Sequence, residues 1–230
     1  MGHTALITGG TGGLGHEVTT AFLDAGWRVV VPGTTEATLA RLPEHDNLRT
    51  VRADLFEAAD AEHVAKLAAS AADAPLSAVV NLVGGFAMGG RVHETDVAEF
   101  ERQLRLNLRP TYLTSQAALP HLIANGGGSI TCVSSRAALR PFSGAAGYIT
   151  GKAAVLSLVD AMAAEYKRDN VRVNAVVPSI IDTQDNRANQ PDADRGKWVS
   201  PADIARVLLF LSSPDSGVVS GAHVPVYGTG

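Results

Sequence analysis

Cysteine is almost absent from this chain of 230 residues, which contains only Cys132. A single thiol excludes an internal disulfide and fits a reducing compartment, so we expect a cytoplasmic protein. Cys132 lies within the apolar run ITCV, which predicts a buried strand. Its expected role is therefore that of a small hydrophobic side chain rather than a nucleophile.

Basic clusters and long apolar runs are also lacking. Lys and Arg number 19 against 23 Asp and Glu, a net charge of −4 without any basic block, so we expect no nucleic-acid partner. No apolar run reaches the roughly 20 residues that span a membrane, and no signal-peptide pattern opens the chain, so no membrane partner is expected. The seven His residues lack metal-ligand spacing, so no metal site is predicted.

Short β-forming runs that alternate with helical patterns make up most of the chain. Hydrophobic residues account for 46% of it, which suits one large domain over residues 1–230. The pattern predicts strands at 3–8, 28–31, 47–52, 77–83, 171–177 and 223–226, and another that ends at Ser134. We therefore expect an α/β fold, a doubly wound parallel sheet of the Rossmann type, in a single domain.

The loop after the first strand is rich in glycine, TGGTGGLG at residues 8–15. It fits two overlapping patterns: G-x-G-x-x-G at Gly10, Gly12 and Gly15, and T-G-x-x-x-G-x-G at Thr8, Gly9, Gly13 and Gly15. Its place between a strand and a helix favours a dinucleotide pyrophosphate bound at the helix N-terminus, with a purely structural turn as the alternative. His16 and Glu17 follow where a nucleotide triphosphatase would need Lys and Ser or Thr.

The end of the second strand, Pro32-Gly33-Thr34-Thr35, is the position that reads the adenosine ribose in such folds. It has neither the acid that selects NAD nor the Arg that accommodates NADP. Because no acid repels a 2′-phosphate and the Thr hydroxyls can donate to it, NADP is favoured over NAD. After the third strand, Asp54 contacts the adenine or caps the helix predicted from residue 57, and both can hold.

Three polar side chains are predicted to meet near the middle of the chain. Ser135 lies at the end of a strand, and Tyr148 and Lys152 share one face of the helix that begins near residue 147. A nearby Lys cation lowers the pKa of a phenol and makes it a usable acid or base, and a Ser hydroxyl can hold a carbonyl oxygen. This chemistry suits carbonyl–alcohol interconversion, although a Tyr-x-x-x-Lys pair alone is more often surface decoration.

Asn107 lies within a long helix predicted over residues 96–123, close to Pro110, which removes a backbone donor. Its spacing is equally compatible with a site residue and with a solvent-facing Asn. The polar segment 184–198 predicts a long loop that covers a substrate.

The expected pocket walls are residues 85–92, 136–142 and 184–198, with an apolar lining from Phe86, Met88, Leu139 and Phe142. For Arg136 and Arg140 we favour solvent or subunit contacts, because most Arg lie at surfaces. An acidic substrate is the alternative.

Together these motifs resemble the classical short-chain dehydrogenase/reductase family over nearly the whole chain. Asn81 to Gly84 is similar to the family's Asn-Asn-Ala-Gly element, and Pro178 to Thr183 to its Pro-Gly motif, in which Ser179 replaces Gly. Gly12 stands where many NADP-using members carry a basic residue. The resemblance implies a catalytic tetrad of Asn107, Ser135, Tyr148 and Lys152. It implies cofactor contacts from Gly9, Thr11, Gly12, Gly13, Leu14, Gly15, Gly33, Thr34, Asp54, Leu55, Asn81, Val83, Gly84, Tyr148, Lys152, Pro178, Ile181 and Thr183.

The resemblance also implies a function and an assembly. The chain is expected to be an NAD(P)-dependent oxidoreductase that interconverts a small-molecule carbonyl and a secondary alcohol by hydride transfer. Tyr148 would be its general acid and base, Lys152 would bind the nicotinamide ribose, Ser135 would orient the substrate oxygen and Asn107 would hold a water. A homotetramer or homodimer through the long helices is implied. The alternative is an inactive dinucleotide-binding regulator of the same fold.

Overall fold

Seven parallel strands form the centre of the structure, a computed structural model that describes residues 2–228. They are β1 (Thr4–Thr8), β2 (Arg28–Gly33), β3 (Leu48–Arg52), β4 (Leu76–Asn81), β5 (Gly128–Val133), β6 (Val171–Pro178) and β7 (His223–Val226). Their spatial order is β3-β2-β1-β4-β5-β6-β7. The order changes direction between β1 and β4, and this switch creates the crevice in which doubly wound folds bind ligands. The predicted fold class is confirmed.

Helices cover both faces of the sheet. They are α1 (Gly13–Asp24), α2 (Glu36–Leu39), α3 (Ala58–Ala68), α4 (Val97–Ala124), α5 (Arg136–Leu139), α6 (Ala146–Glu165), α7 (Gln184–Asn189) and α8 (Pro201–Ser212). One core lies between the sheet and α1 and α8, and the other lies under α3, α4 and α6. Successive residues of β2 alternate between them, since Val29 and Val31 face the first core and Val30 the second.

Two glycines let α4 and α6 pack closely against each other. A Cβ at Gly147 would lie 2.9 Å from the Cβ of Gln103, and one at Gly151 would lie 3.1 Å from the Cβ of Asn107. Asn107 is fully buried at this crossing, so the solvent-facing alternative is wrong. The helix continues through Pro110 as a single element.

Two local predictions are wrong. Asp54 does not cap α3, because its carboxylate accepts from the backbone N–H of Phe56 at 3.0 Å and the helix begins only at Ala58. The segment 184–198 is not an irregular loop, since it contains α7 and a 3₁₀ turn at Arg195–Lys197. The Thr183 hydroxyl accepts from the N–H of Asn186, so polar side chains themselves satisfy the end of this short helix.

Candidate active site

The carboxyl ends of the strands meet at one edge of the sheet because all seven run in the same direction. The loops after β1, β4, β5 and β6 enclose a cleft of about 940 Å³ at this edge. Of the site residues predicted from the sequence, those that line it are Leu14, Gly84, Ser135, Tyr148, Lys152, Pro178 and Ile181. A cleft of this size has room for a small molecule and part of a larger ligand.

The glycine loop lies tightly against the strand ends. Gly9 has a left-handed φ of +68°, and a Cβ there would lie 3.1 Å from the backbone of Leu82 and Val83. A Cβ at Gly15 would overlap the carbonyl oxygen of Gly9. Both positions therefore require glycine for the turn itself.

The N-terminus of α1 is open to a ligand. Its N-cap, Gly12, provides no side-chain cap, and the first turn has no acidic residue. Within residues 2–228, the backbone N–H groups of Gly13, Leu14 and Gly15 have no hydrogen-bond partner. Thr183 packs over this turn, since a Cβ at Gly13 would lie 3.1 Å from its Cβ. Aligned, unpaired N–H groups without a nearby acid form an anion site.

The residues predicted to contact the adenosine do not line the cleft. They lie at the end of β2 or just after β2 and β3: Gly33, Thr34, Asp54 and Leu55. Thr34 and Asp54 are exposed, whereas Gly33 and Leu55 are buried. A Cβ at Gly33 would lie 3.5 Å from the Cγ2 of Thr11, so the end of β2 adjoins the glycine loop. These residues share one sheet edge with the cleft, as the two ends of an extended ligand require.

Ser135 and Tyr148 both line the cleft, and the Ser135 side chain is near enough to the phenol to influence its pKa. The Ser135 hydroxyl accepts from the N–H of Ala137 at 3.2 Å, as the N-cap of α5, which fixes its position. Phe86 packs edge-on against the Tyr148 ring at a centroid distance of 5.0 Å. Burial raises the pKa of Tyr148 above its ordinary value, and the nearby Ser135 side chain partly opposes this shift.

Lys152 lies one helical turn after Tyr148 and is buried. Its ammonium group donates to the carbonyl oxygen of Val133 at 3.0 Å. Burial lowers the pKa of Lys152 to about 8, and Cys132 opposes that shift. In this structure the ammonium is directed at Val133, and burial is the largest cause of the shift in the Tyr148 pKa.

Asn107 holds the loop after β4 next to Lys152. Its Nδ2 donates to the carbonyl oxygens of Gly85 and Gln103, each at 3.0 Å, and its Oδ1 accepts from the N–H of Gly85 at 3.1 Å. A Cβ at Gly84 would lie 2.8 Å from both Asn107 Oδ1 and Lys152 Nζ. The Asn107 amide and the Lys152 ammonium therefore lie close together, and a side chain at position 84 would collide with both.

Other predicted or overlooked residues have internal roles. The Asn81 amide donates to Ser115 at 3.1 Å and is buried, so this side chain is not available to a ligand. Val83 packs against the core under α4 and α6. Ser134, which the sequence does not distinguish from Ser135, donates to the carbonyl oxygen of Lys152 at 2.8 Å.

The cleft walls differ in part from those predicted. Phe86, Met88 and Phe142 line the cleft, but Leu139 is exposed outside it. From the segment 184–198 the lining residues are Asn186, Asn189 and Gln190. Arg136 and Arg140 also line the cleft.

Comparison with known proteins agrees with this geometry. The family described as short chain dehydrogenase matches residues 3–194, more than half of the chain. This chain belongs to the short-chain dehydrogenase/reductase family. It is an NAD(P)-dependent oxidoreductase.

Relatives of this short-chain dehydrogenase/reductase match it from end to end. It is 32% identical to 2-(R)-hydroxypropyl-CoM dehydrogenase of Xanthobacter autotrophicus, over 99% of this chain and 98% of that protein. It is 30% identical to 7alpha-hydroxysteroid dehydrogenase of Clostridium sardiniense, over 96% and 90%. The structure of 3-ketoacyl-(acyl-carrier-protein) reductase from Brucella melitensis complexed with NADH covers 99% of this chain and 98% of its own, with a TM-score of 0.90 and 28% identity.

Two further observations concern the described residues. None of the helices within residues 2–228 is long and apolar enough to cross a membrane. Over the same residues, no group of three or more His, Cys, Asp or Glu side chains could hold a metal ion.

Proposed function

We propose that this enzyme interconverts a carbonyl and a secondary alcohol, with Tyr148 as general acid and base. The supporting observation is the Tyr148 side chain in the cleft, which Ser135 also lines, one helical turn from the buried Lys152. The finer assignment of Asn107, Ser135, Tyr148 and Lys152 as the catalytic tetrad is part of this proposal.

A nicotinamide dinucleotide fits the residues along the sheet edge. The unpaired N–H groups of Gly13, Leu14 and Gly15 would hold its pyrophosphate. Gly84 and Lys152 both line the cleft, where the ribose of the nicotinamide half would bind. When bound, the dinucleotide supplies or accepts the hydride.

The residues of the chain would manage the proton. In reduction, Tyr148 donates its proton to the substrate oxygen while the Ser135 hydroxyl holds that oxygen in place. A phenol is protonated at neutral pH, as this direction requires, and burial raises its pKa further. In oxidation the phenol must first lose its proton, and the Lys152 cation would favour that charge. Asn107 acts as a positioning residue, because it fixes the loop beside Lys152.

Replacement of Tyr148 by Phe tests the acid–base assignment. Tyr148→Phe should lower kcat by 10²- to 10⁴-fold, the usual contribution of a general acid, and leave dinucleotide affinity within about twofold. Fluorescence titration of NADPH and NADH measures the affinity, and Tyr166→Phe is the matched control. Retained turnover in Tyr148→Phe would refute the assignment. A wild-type protein that binds dinucleotide but reduces no carbonyl would favour the inactive regulator.

For the coenzyme we propose NADP over NAD. The end of β2 has no acid, and Leu39 occupies the space into which one would project, since a Cβ at Gly33 would lie 2.6 Å from the Leu39 side chain. Thr34 is exposed and can donate to a phosphate. Arg52 of β3 pairs with Gly33 of β2, so its side chain projects from the face of the sheet on which a side chain at position 33 would lie.

Two arginines of β3 make this coenzyme proposal testable. Arg52→Ala should weaken NADPH binding about tenfold and leave NADH binding unchanged, because only NADPH carries the 2′-phosphate. Arg49→Ala is the control, since Arg49 is exposed on the opposite face of the same strand. Equal affinities for NADPH and NADH in the wild type would contradict the preference for NADP.

We also propose a homo-oligomer built through α4 and α6. A groove of about 310 Å³ lies between these helices, and Tyr112 and Ile123 are exposed along it. Tyr112→Glu should shift the mass measured by light scattering to that of a monomer, whereas Val92→Glu, far more exposed at 76%, should not. A monomeric wild type would refute this proposal.

A further inference from the structure

We propose that the substrate carries an oxyanion, a carboxylate or a sulfonate, and that Arg136 and Arg140 bind it at the cleft. The inference rests on the proposed function and adds the class of substrate to it. The sequence alone favours solvent or subunit contacts for both arginines. The structure instead places both in the lining of the cleft that holds Ser135 and Tyr148.

The two arginines follow directly from the reacting end of the cleft. Ser135 caps α5, and Arg136 is the first residue of that helix. The N–H of Arg140 donates to the carbonyl oxygen of Arg136 at 2.8 Å, so the two residues lie one helical turn apart. A substrate whose carbonyl oxygen binds at Ser135 would therefore lie in the same cleft as both arginines.

The charges around the cleft are of one sign. Among the lining residues that the structure describes, Arg136, Arg140 and Lys152 are basic and none is acidic, although the whole chain has a net charge of −4. The carboxylate of Asp182, in the loop after β6, is paired with Arg187 through hydrogen bonds of 2.6 and 2.8 Å. A concave site with an excess of positive charge raises the local concentration of anions.

The guanidinium groups have donors left for an anion. Within residues 2–228, neither Arg136 nor Arg140 forms a salt bridge or donates a side-chain hydrogen bond. Arg136 stacks over the ring of Tyr227, with its Cζ 5.1 Å from the centroid. A cation–π contact of this kind uses none of the guanidinium N–H groups, which stay available for bidentate recognition of an oxyanion.

The rest of the cleft indicates the body of the substrate. Phe86, Met88 and Phe142 line it with 55%, 61% and 45% of their surfaces exposed, and the two rings are 6.4 Å apart. Exposed apolar side chains that converge on a cleft favour an apolar or aromatic ligand surface. The substrate class is therefore a ketone or aldehyde, or the matching alcohol, with an apolar body and an anionic end.

Three matched ketones test the inference: 4-acetylbenzoate, 4-acetylbenzenesulfonate and the neutral methyl 4-acetylbenzoate. The holoenzyme should reduce at least one anion with a kcat/KM about tenfold or more above that of the ester, mainly through KM. Added salt should reduce this ratio. Arg136→Ala and Arg140→Ala should each lower it about tenfold, since a hydrogen bond to a charged group contributes roughly that factor. The more strongly preferred anion identifies the oxyanion.

Arg168→Ala, at an exposed Arg in the turn after α6, is the matched control and should leave the ratio unchanged. Quenching of the bound coenzyme's fluorescence by the same three compounds gives the affinity ratio even where turnover is slow. Equal values for anion and ester, or a ratio that neither cleft variant changes, would overturn the inference while reduction of the ester leaves the proposed function intact. Failure to bind NADPH or NADH would refute the proposed function, and the inference with it.

Discussion

Replacement of Gly84 by Ala should lower both kcat and Tm, although it adds only one methyl group. The added Cβ would lie 2.8 Å from Asn107 Oδ1 and from Lys152 Nζ, whereas ordinary van der Waals contact begins near 3.4 Å. Flexible side-chain ends can usually move away from such a contact. Here both ends are held, Lys152 by the Val133 carbonyl oxygen and Asn107 by the backbone of Gly85.

The size of the effect follows from these contacts. The amide and the ammonium must each move by about half an ångström, or the loop must lift away from α4. A buried polar group that loses its partner costs about 1–3 kcal/mol, which at about 2–4 °C per kcal/mol for this chain length lowers Tm by several degrees. A misplacement approaching 1 Å in a catalytic group lowers the rate by about 10²-fold, so we expect kcat to fall by 10- to 100-fold.

Gly89→Ala is the matched control in the same loop. A Cβ at Gly89 meets nothing within 4 Å, so this variant should keep the wild-type kcat and Tm. Steady-state kinetics with saturating coenzyme and thermal unfolding measure both quantities. If Gly84→Ala matches Gly89→Ala in kcat, then the Asn107–Lys152 arrangement does not control turnover. A lower Tm with an unchanged kcat would restrict the role of Gly84 to folding.

The remaining predictions concern buried titratable groups and one hydrogen bond. Burial raises the pKa of Cys132 to about 12, so iodoacetamide should label it only after unfolding, and rapid labelling of the native protein would contradict this. Because the folded-state pKa of Lys152 is lowered to about 8, the unfolded state binds more protons between pH 8 and 10.5. The free energy of unfolding of the wild type relative to Lys152→Met should therefore rise over that range, by at most about 3 kcal/mol, in denaturant titrations. Ser134→Ala removes the bond to the Lys152 carbonyl oxygen and should lower the free energy of unfolding by about 1 kcal/mol, measured in urea.

Much of the fold could be predicted from local patterns. Parallel strands buried on both faces read as apolar runs, and these mark β1, β2, β4, β5 and β6. The alternation with helices then determines the sheet class. The six-residue α7 has no such pattern, because its stability comes from the Thr183 cap and the Arg187–Asp182 pair rather than from an apolar stripe.

The candidate site was predictable in its residue types but not in its electrostatics. Spacing places Ser135, Tyr148 and Lys152 together, and the structure brings all three to the cleft. The direction of the Tyr148 pKa shift depends instead on how deeply the phenol is buried and where the Lys152 ammonium points. The burial of the phenol and the direction of the ammonium both depend on packing, which residue spacing in the sequence does not predict.

Three glycines determine where the polar groups of the site lie, because a side chain at any of these positions would collide with a neighbour. Gly151 lets Asn107 approach α6, Gly84 lets the same amide lie beside Lys152, and Gly15 lets α1 begin against the Gly9 carbonyl. Each glycine stands where a Cβ would lie 3.1 Å or less from a neighbour. Larger residues at these three positions should therefore damage the site by displacing its polar groups. Replacement of a polar side chain by an apolar one should instead damage it by removing the reacting group itself. The two classes can be separated, because displacement lowers kcat and Tm together and a lost hydroxyl such as that of Tyr148 lowers kcat alone.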